Sequence, residues 1–233
     1  MFAPFVRIPR RLGGAPMTRG MRLSVALVVA FVVIAAAILL AGRSGPDPAA
    51  GAQAADPAAT AARADSHRLS AAPAGSLTFV EFLDFECEAC RSVYPAIEQL
   101  RAEYGDRVSF VVRYFPLPGH FNAERAARAV EAAAQQGKFE QMYQRMYETQ
   151  AEWGEQRTPK DEVFRGFAAD LGLDLPAFDA AYTASATLDR INADVADGEA
   201  LGVQGTPTFF LDGRRLEPTS YQDLTDALDA ALR

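Results

Sequence analysis

One short stretch sets the limits on what this chain can fold into. Residues 80–90 read VEFLDFECEAC, an apolar run of strand character that passes straight into a Cys-x-x-Cys pair, Cys87 and Cys90. Val93, Ile97, Leu100 and Tyr104 then recur at three-to-four-residue spacing, which predicts a helix starting at once. Cys87 is therefore placed where a strand ends and a helix begins. Backbone N–H groups at a helix N-terminus are unpaired and carry partial positive charge. A thiolate there is stabilised, and the thiolate is the form that attacks disulfides. Cys87 is the candidate nucleophile and Cys90, one turn on, the candidate resolving thiol. The first should be the accessible, low-pKa thiol and the second the buried one.

The chain holds only these two cysteines. A zinc site would need four ligands, and only His67 and His120 remain to complete one. A structural disulfide closing so short a loop would add little stability. The redox reading therefore leads, and neither a metal nor a cofactor is expected.

The 233 residues allow one ordinary globular domain with additions, and a formal net charge of −7 argues against a nucleic-acid partner. The additions are N-terminal. Residues 1–22 carry Arg7, Arg10, Arg11, Arg19 and Arg22 and no acid, and residues 23–42 carry no charge. That apolar run suffices for a transmembrane helix, at about 1.5 Å per residue against roughly 30 Å of hydrocarbon. The arginines before it predict a cytoplasmic N-terminus and an extracytoplasmic remainder. A cleaved signal peptide is the rival, but its apolar core would be overlong, and Ala52-Gln53-Ala54 lies far beyond it. Arg43 stands where Leu39-Leu40-Ala41-Gly42 would need a cysteine to act as a lipobox. An uncleaved signal-anchor is the expectation.

Residues 43–75, rich in Ala, Gly, Pro and Asp, read as a flexible linker, with His67 a solvated side chain within it. The globular domain is expected over 76–233. Its first strand is predicted at 77–85, a helix at 89–104 kinked by Pro95, and a second strand at 108–114 buried on both faces. This strand–helix–strand order implies a parallel pair. Helices follow at 123–136, capped by Asn122, then at 138–150, 160–171, 175–184 and 187–201, the third started by Thr158-Pro159. A hairpin turning at Asp212-Gly213 and a final helix capped by Ser220 close the chain. Asp84 and Glu86 read as loop-facing charges and His120 as a loop or helix-start residue. Trp153, Phe139, Met142, Tyr143 and Met146 read as core of the helical block.

This order resembles the thioredoxin fold, and the helical block at about 121–201 resembles the insertion of DsbA-like thiol–disulfide oxidoreductases. Three further stretches carry the likeness: Gly202-Val203-Gln204-Gly205-Thr206-Pro207-Thr208, the segment from Phe115-Pro116-Leu117 through His120 to Asn122-Ala123, and Gln136-Gly137-Lys138-Phe139. The fold class expected is α/β, a thioredoxin fold with an all-helical insertion preceded by one transmembrane helix. The resemblance implies a cis-proline loop in which Thr206 and Pro207 bind substrate backbone. It also implies a role for Glu81 as a buried acid relaying a proton to or from Cys90. An acid flanked by Val80 and Phe82 should have a raised pKa if buried, whereas at a strand edge it would face solvent. Between the cysteines, Glu88-Ala89 replaces the family's frequent Pro-His or Pro-Tyr, and Glu88 should raise the Cys87 pKa somewhat, with Arg91 as an offset.

The expected function is a membrane-anchored extracytoplasmic thiol–disulfide oxidoreductase that introduces disulfides into exported proteins. The alternatives are a reductase or isomerase on the same fold, or a non-catalytic binding or chaperone module. The expected partners are unfolded or cysteine-containing exported proteins and a membrane redox partner that recycles the Cys-x-x-Cys. A monomer is expected.

Overall fold

The computed structural model describes residues 56–233, together with Val29, Ala30, Val33 and Ile34, which are helical. The basic segment 1–22 and the anchor expected at 23–42 otherwise lie outside the described residues. Among those described, no helix is long and apolar enough to cross a membrane.

Strand β1 (His67–Arg68) is followed by β2 (Leu77–Leu83), α2 (Glu88–Tyr104) and β3 (Val108–Tyr114). A short helix, α1 (Pro57–Ala61), precedes them. Five helices then run without an intervening strand: α3 (Ala123–Ala134), α4 (Phe139–Trp153), α5 (Asp161–Asp170), α6 (Leu175–Thr183) and α7 (Ser185–Ala200). Strands β4 (Thr208–Leu211) and β5 (Arg214–Leu216) and helix α8 (Tyr221–Ala231) complete the chain. The sheet order is β1-β3-β2-β4-β5; β2 pairs parallel with β3 and antiparallel with β4.

Strand periodicity divides the core between the two faces of the sheet. Phe79, Leu83, Phe110 and Val112 pack with Ile97 and Leu100 of α2, Leu224 and Leu228 of α8, and the helical block. Val80, Phe82, Val111 and Phe210 form the opposite cluster with Ala61, Phe115 and Val203. All seven residues of β3 are buried. The β4–β5 turn uses positive φ at both Asp212 (47°) and Gly213 (76°), the geometry of a two-residue hairpin. Helix α8 starts with a capping box between Ser220 and Asp223.

The structure departs from four expectations. The flexible linker does not extend over 56–75: β1 pairs antiparallel with β3 through His67↔Val112 and Arg68↔Val111, and α1 is held by Arg113. Arg113 is fully buried on β3 and donates to the carbonyls of Thr60 (2.8 Å) and Ala61 (2.7 Å), to Asp194 (2.7 Å) and to Asp197 (2.5 Å). One guanidinium thus fixes the N-terminal segment and α7 to the sheet. His67 is not a solvated side chain; its Nε2 meets Glu131 at 2.6 Å and its ring stacks on Phe139 at 4.2 Å. Asn122 occupies the N-cap position of α3 without a side-chain cap bond; its amide instead donates to the carbonyls of Gln156 and Thr158, and its Oδ1 accepts from Lys160 N–H. This tie brings Lys160, not Thr158, to the N-cap position of α5.

Candidate active site

The site is assembled at the end of β2. Strand pairing stops at Leu83, and Asp84 turns the chain: its Oδ1 accepts the Glu86 N–H at 2.8 Å and its carbonyl accepts the Cys87 N–H at 3.2 Å. Cys87 takes the N-cap position of α2 with extended backbone (φ −68°, ψ 122°), and its carbonyl accepts the first helical N–H, from Arg91. The helix runs unbroken through Pro95.

Both cysteines are free thiols. Cys87 keeps 7 % of its surface exposed and Cys90 none, so the difference in access between them is narrow. Their electrostatics differ sharply. The Cys87 pKa falls to about 5, chiefly because the Cys90 thiol donates to its sulfur, helped by the Thr206 hydroxyl and the backbone N–H groups of Cys90 and Ala89, against the cost of burial. Burial pushes the Cys90 thiol well up, reinforced by its bond to Cys87 and the nearby Glu81 charge. Glu88 is exposed, so water screens the charge expected to oppose the Cys87 thiolate.

The loop between α7 and β4 brings in the second part. The Thr206–Pro207 bond is cis, and the Thr206 carbonyl lies 3.4 Å from Cys87 Sγ, placed to accept from the thiol. The buried Thr206 hydroxyl has no partner among the described residues while Cys87 is a thiol. It is free to donate once the sulfur is a thiolate. From Pro207 a cleft of about 600 Å³ runs between α2 and α8, lined by Val93, Phe209, Leu216, Tyr221 and Leu224. A second cleft of about 730 Å³ adjoins His120, Leu117 and Phe121.

Glu81 is buried beneath the pair, on the Phe79–Leu83 face of β2. Burial, with the negative charges of Glu98 and Cys87, pushes its pKa up to about 8. It faces Cys90, Tyr143 and Tyr147 closely enough to perturb all three. The alternative of a solvent-facing strand-edge acid does not describe it, because β2 is flanked by β3 and β4.

The family model described as thioredoxin matches residues 67–230. The chain belongs to the thioredoxin family. A thioredoxin-like oxidoreductase from Silicibacter pomeroyi DSS-3 is 28% identical, with a TM-score of 0.60 over 72% of this chain and 92% of that one. The oxidoreductase DsbA from Xylella fastidiosa shares the fold at 23% identity, with a TM-score of 0.59 over 69% of this chain and 88% of that one. The domain shares the fold of that DsbA, with its helical block between β3 and β4. Among curated proteins, the Na(+)/H(+) antiporter NhaA of Herminiimonas arsenicoxydans is 39% identical over 158 residues, 67% of this chain and 24% of that protein. The chain spans about a quarter of the length of the curated relatives it matches.

Four side chains of this thioredoxin-family site escaped the sequence reading. Gln150 of α4 is buried and donates to the carbonyls of both Phe85 (2.7 Å) and Cys87 (2.9 Å), so the helical block holds the Cys87 loop directly. Asp84 and Glu86 are not loop-facing charges; both are about 1 % exposed. Asp84 Oδ2 accepts the Leu117 N–H (2.9 Å) and meets His120 Nδ1 (2.6 Å), while Glu86 accepts the Asn122 N–H. Burial raises the Glu86 pKa. His120 is driven up to about 9, first by its hydrogen bond to Asp84, and also by the charges of Asp84, Glu155 and Cys87. A usable signal was present: three acids, Asp84, Glu86 and Glu88, crowd a thiolate-forming cysteine, which calls for a cation nearby.

Proposed function

We propose that this chain is a membrane-anchored, extracytoplasmic thiol–disulfide oxidoreductase that passes a Cys87–Cys90 disulfide to exported proteins. The observation that carries the reading is the unequal pair: hydrogen-bond donors converge on Cys87, while Cys90 is fully buried beside Glu81. In the oxidised form a substrate thiolate attacks Cys87 Sγ, and the Cys87–Cys90 bond breaks. Cys90 departs as a thiolate, and the Glu81 carboxyl, protonated below about pH 8, supplies its proton. A second substrate thiolate then attacks the substrate sulfur of the mixed disulfide and releases Cys87 as its stabilised thiolate. The substrate loses two electrons and the pair gains them. Thr206 and Pro207 hold the substrate strand beside the sulfur, and the cleft next to Pro207 takes its side chains.

Because the pair ends reduced, a membrane redox partner must reoxidise it. The uncharged run at 23–42 behind five arginines supports the anchor and its orientation. The matching segment in proteins named as Na(+)/H(+) antiporters is in keeping with a domain that works at a membrane. The low Cys87 pKa supports net oxidation, since it stabilises the reduced form and makes the disulfide the better oxidant.

Two measurements test the reading. In Cys90→Ser the Cys87 thiolate can still attack a disulfide in an oxidised substrate, the reverse of the last step, but no thiol at position 90 can then displace the substrate, so covalent substrates should accumulate on Cys87 above a Cys87→Ser background. No such excess would overturn the two-step mechanism. Equilibration with glutathione buffers should give a potential well above about −270 mV; a value near that of thioredoxin would replace the oxidase with a reductase.

A further inference from the structure

Asp84 does more than turn the chain. Its carbonyl accepts the Cys87 N–H and the Tyr147 hydroxyl, and its Oδ1 accepts the Glu86 N–H, so it shapes the turn that delivers the nucleophile. Its Oδ2 accepts the Leu117 N–H and takes His120 Nδ1, so it also shapes the loop that delivers the imidazole. The Asp84 side chain is fully buried, and that of His120 is 22 % exposed. Two loops that are 33 residues or more apart in sequence are thus joined through one carboxylate, with a cysteine on one and a histidine on the other.

The charges around His120 define its task. Asp84 and Glu86 come from the cysteine loop, and Glu155, 3.9 Å from Nε2, follows α4. On the cleft side, Arg125 is paired with Asp161 at 3.2 Å and Arg128 with Glu124 at 2.7 Å. The cleft's arginines are thus already engaged, and the acids of the cysteine loop face the imidazole. A thiolate at Cys87 adds one more negative charge to that group. With a neutral side chain at position 120, the buried Asp84 carboxylate would confront this thiolate uncompensated.

We infer that His120 is a positioning residue of the Cys87 site: clamped by Asp84 to the turn that carries the nucleophile, it supplies the positive charge that lets Cys87 ionise beside two buried acids. The inference rests on the redox reading of Cys87 and extends it to a residue outside the Cys-x-x-Cys and the proline loop. The rise in the His120 pKa, to which Cys87 itself contributes, agrees with the geometry. Asp84 acts on both sides of this link, through its carboxylate on His120 and through its backbone on Cys87.

The test is the ultraviolet absorbance of the Cys87 thiolate, followed against pH in the reduced full-length protein. His120→Gln keeps a donor for Asp84 and removes the charge. It should raise the Cys87 pKa by about one pH unit, the size expected for an uncompensated charge in a partly solvated site. His120→Arg, which keeps the charge and can extend into the adjoining cleft, should titrate like the wild type. A His120→Gln curve superimposed on the wild type would overturn the inference. So would a His120→Arg curve displaced as far as that of His120→Gln, which would reduce the histidine to a shape requirement. Because absorbance reads ionisation without any substrate, failure here is distinct from failure of the redox reading. The latter would show as a wild-type protein unable to exchange disulfides at all.

Discussion

Replacing Cys87 by serine should change the pH dependence of folding stability, and the size of the change follows from the site. An ordinary thiol titrates near 9.0, whereas Cys87 is held down to about 5 by the Cys90 thiol, the Thr206 hydroxyl and two backbone N–H groups. A depressed folded-state pKa gives stability that is complete above the unfolded value and lost as pH falls through the folded one. Between pH 5 and 9 the reduced native state therefore gains about 1.4 kcal/mol per pH unit relative to the unfolded chain. At pH 7 two such units have accumulated, or about 3 kcal/mol, and near pH 4 none has. Serine does not ionise in this range. The stability difference between reduced wild type and Cys87→Ser should thus widen by about 3 kcal/mol from pH 4 to pH 7, read from urea midpoints under reductant. Glu81 complicates the comparison, since the Cys87 charge contributes to its raised pKa. Repeating the pair in a Glu81→Gln background removes that coupling. A difference that stays flat from pH 4 to pH 7 in both backgrounds would mean that Cys87 is not a thiolate at neutral pH, and the mechanism would lose its leaving group.

Glu81→Gln should abolish any inflection near pH 8 in the rate of thiol exchange and slow exchange at pH 7 by about a hundredfold, the lower end for a lost general acid, as read by stopped flow. The same variant should resist urea better than the wild type at pH 7, because a buried carboxyl whose pKa has been raised costs stability progressively from its ordinary value upward. Gln150→Ala strips the one side-chain donor that the Phe85 and Cys87 carbonyls have among the described residues and should cost about 1–3 kcal/mol in urea unfolding, with an unchanged midpoint as the refuting result.

Much of the frame was legible because it is written locally. The strand running into Cys87, the helix from Val93 to Tyr104, the Asp212-Gly213 turn and the Ser220 cap each depend on residues within a turn or two of one another. The thioredoxin order and the span of the helical block followed from their sequence. What escaped depends on distant partners. Strand β1 is two residues long, in a stretch with no apolar periodicity, and exists only because β3 lies beside it. Asn122 looks like a helix cap, yet its amide is spent on carbonyls more than thirty residues away. Asp84 and Glu86 look solvated because acids in a turn usually are; their partners, Leu117, His120 and Asn122, belong to another loop. His67 looks solvated for the same reason, since its partners Glu131 and Phe139 lie in the helical block.

The bonds from Gln150 and Asn122 into the cysteine loop alter what counts as a separable part of this molecule. A helical block of this kind invites treatment as a module, something to be trimmed or exchanged while the five-stranded core keeps its chemistry. Here the block supplies the donor amide for the carbonyls of Phe85 and Cys87 and the N–H that Glu86 accepts. A minimised scaffold without residues 121–201 would strip the Phe85 carbonyl and the Glu86 carboxylate beside Cys87 of these donors, at about 1–3 kcal/mol each, and would leave the Cys87 carbonyl with the Arg91 N–H alone. An engineer who wishes to retune the reactivity of Cys87 without touching either cysteine therefore has a handle on the far side of the chain, in the α4 face that carries Gln150.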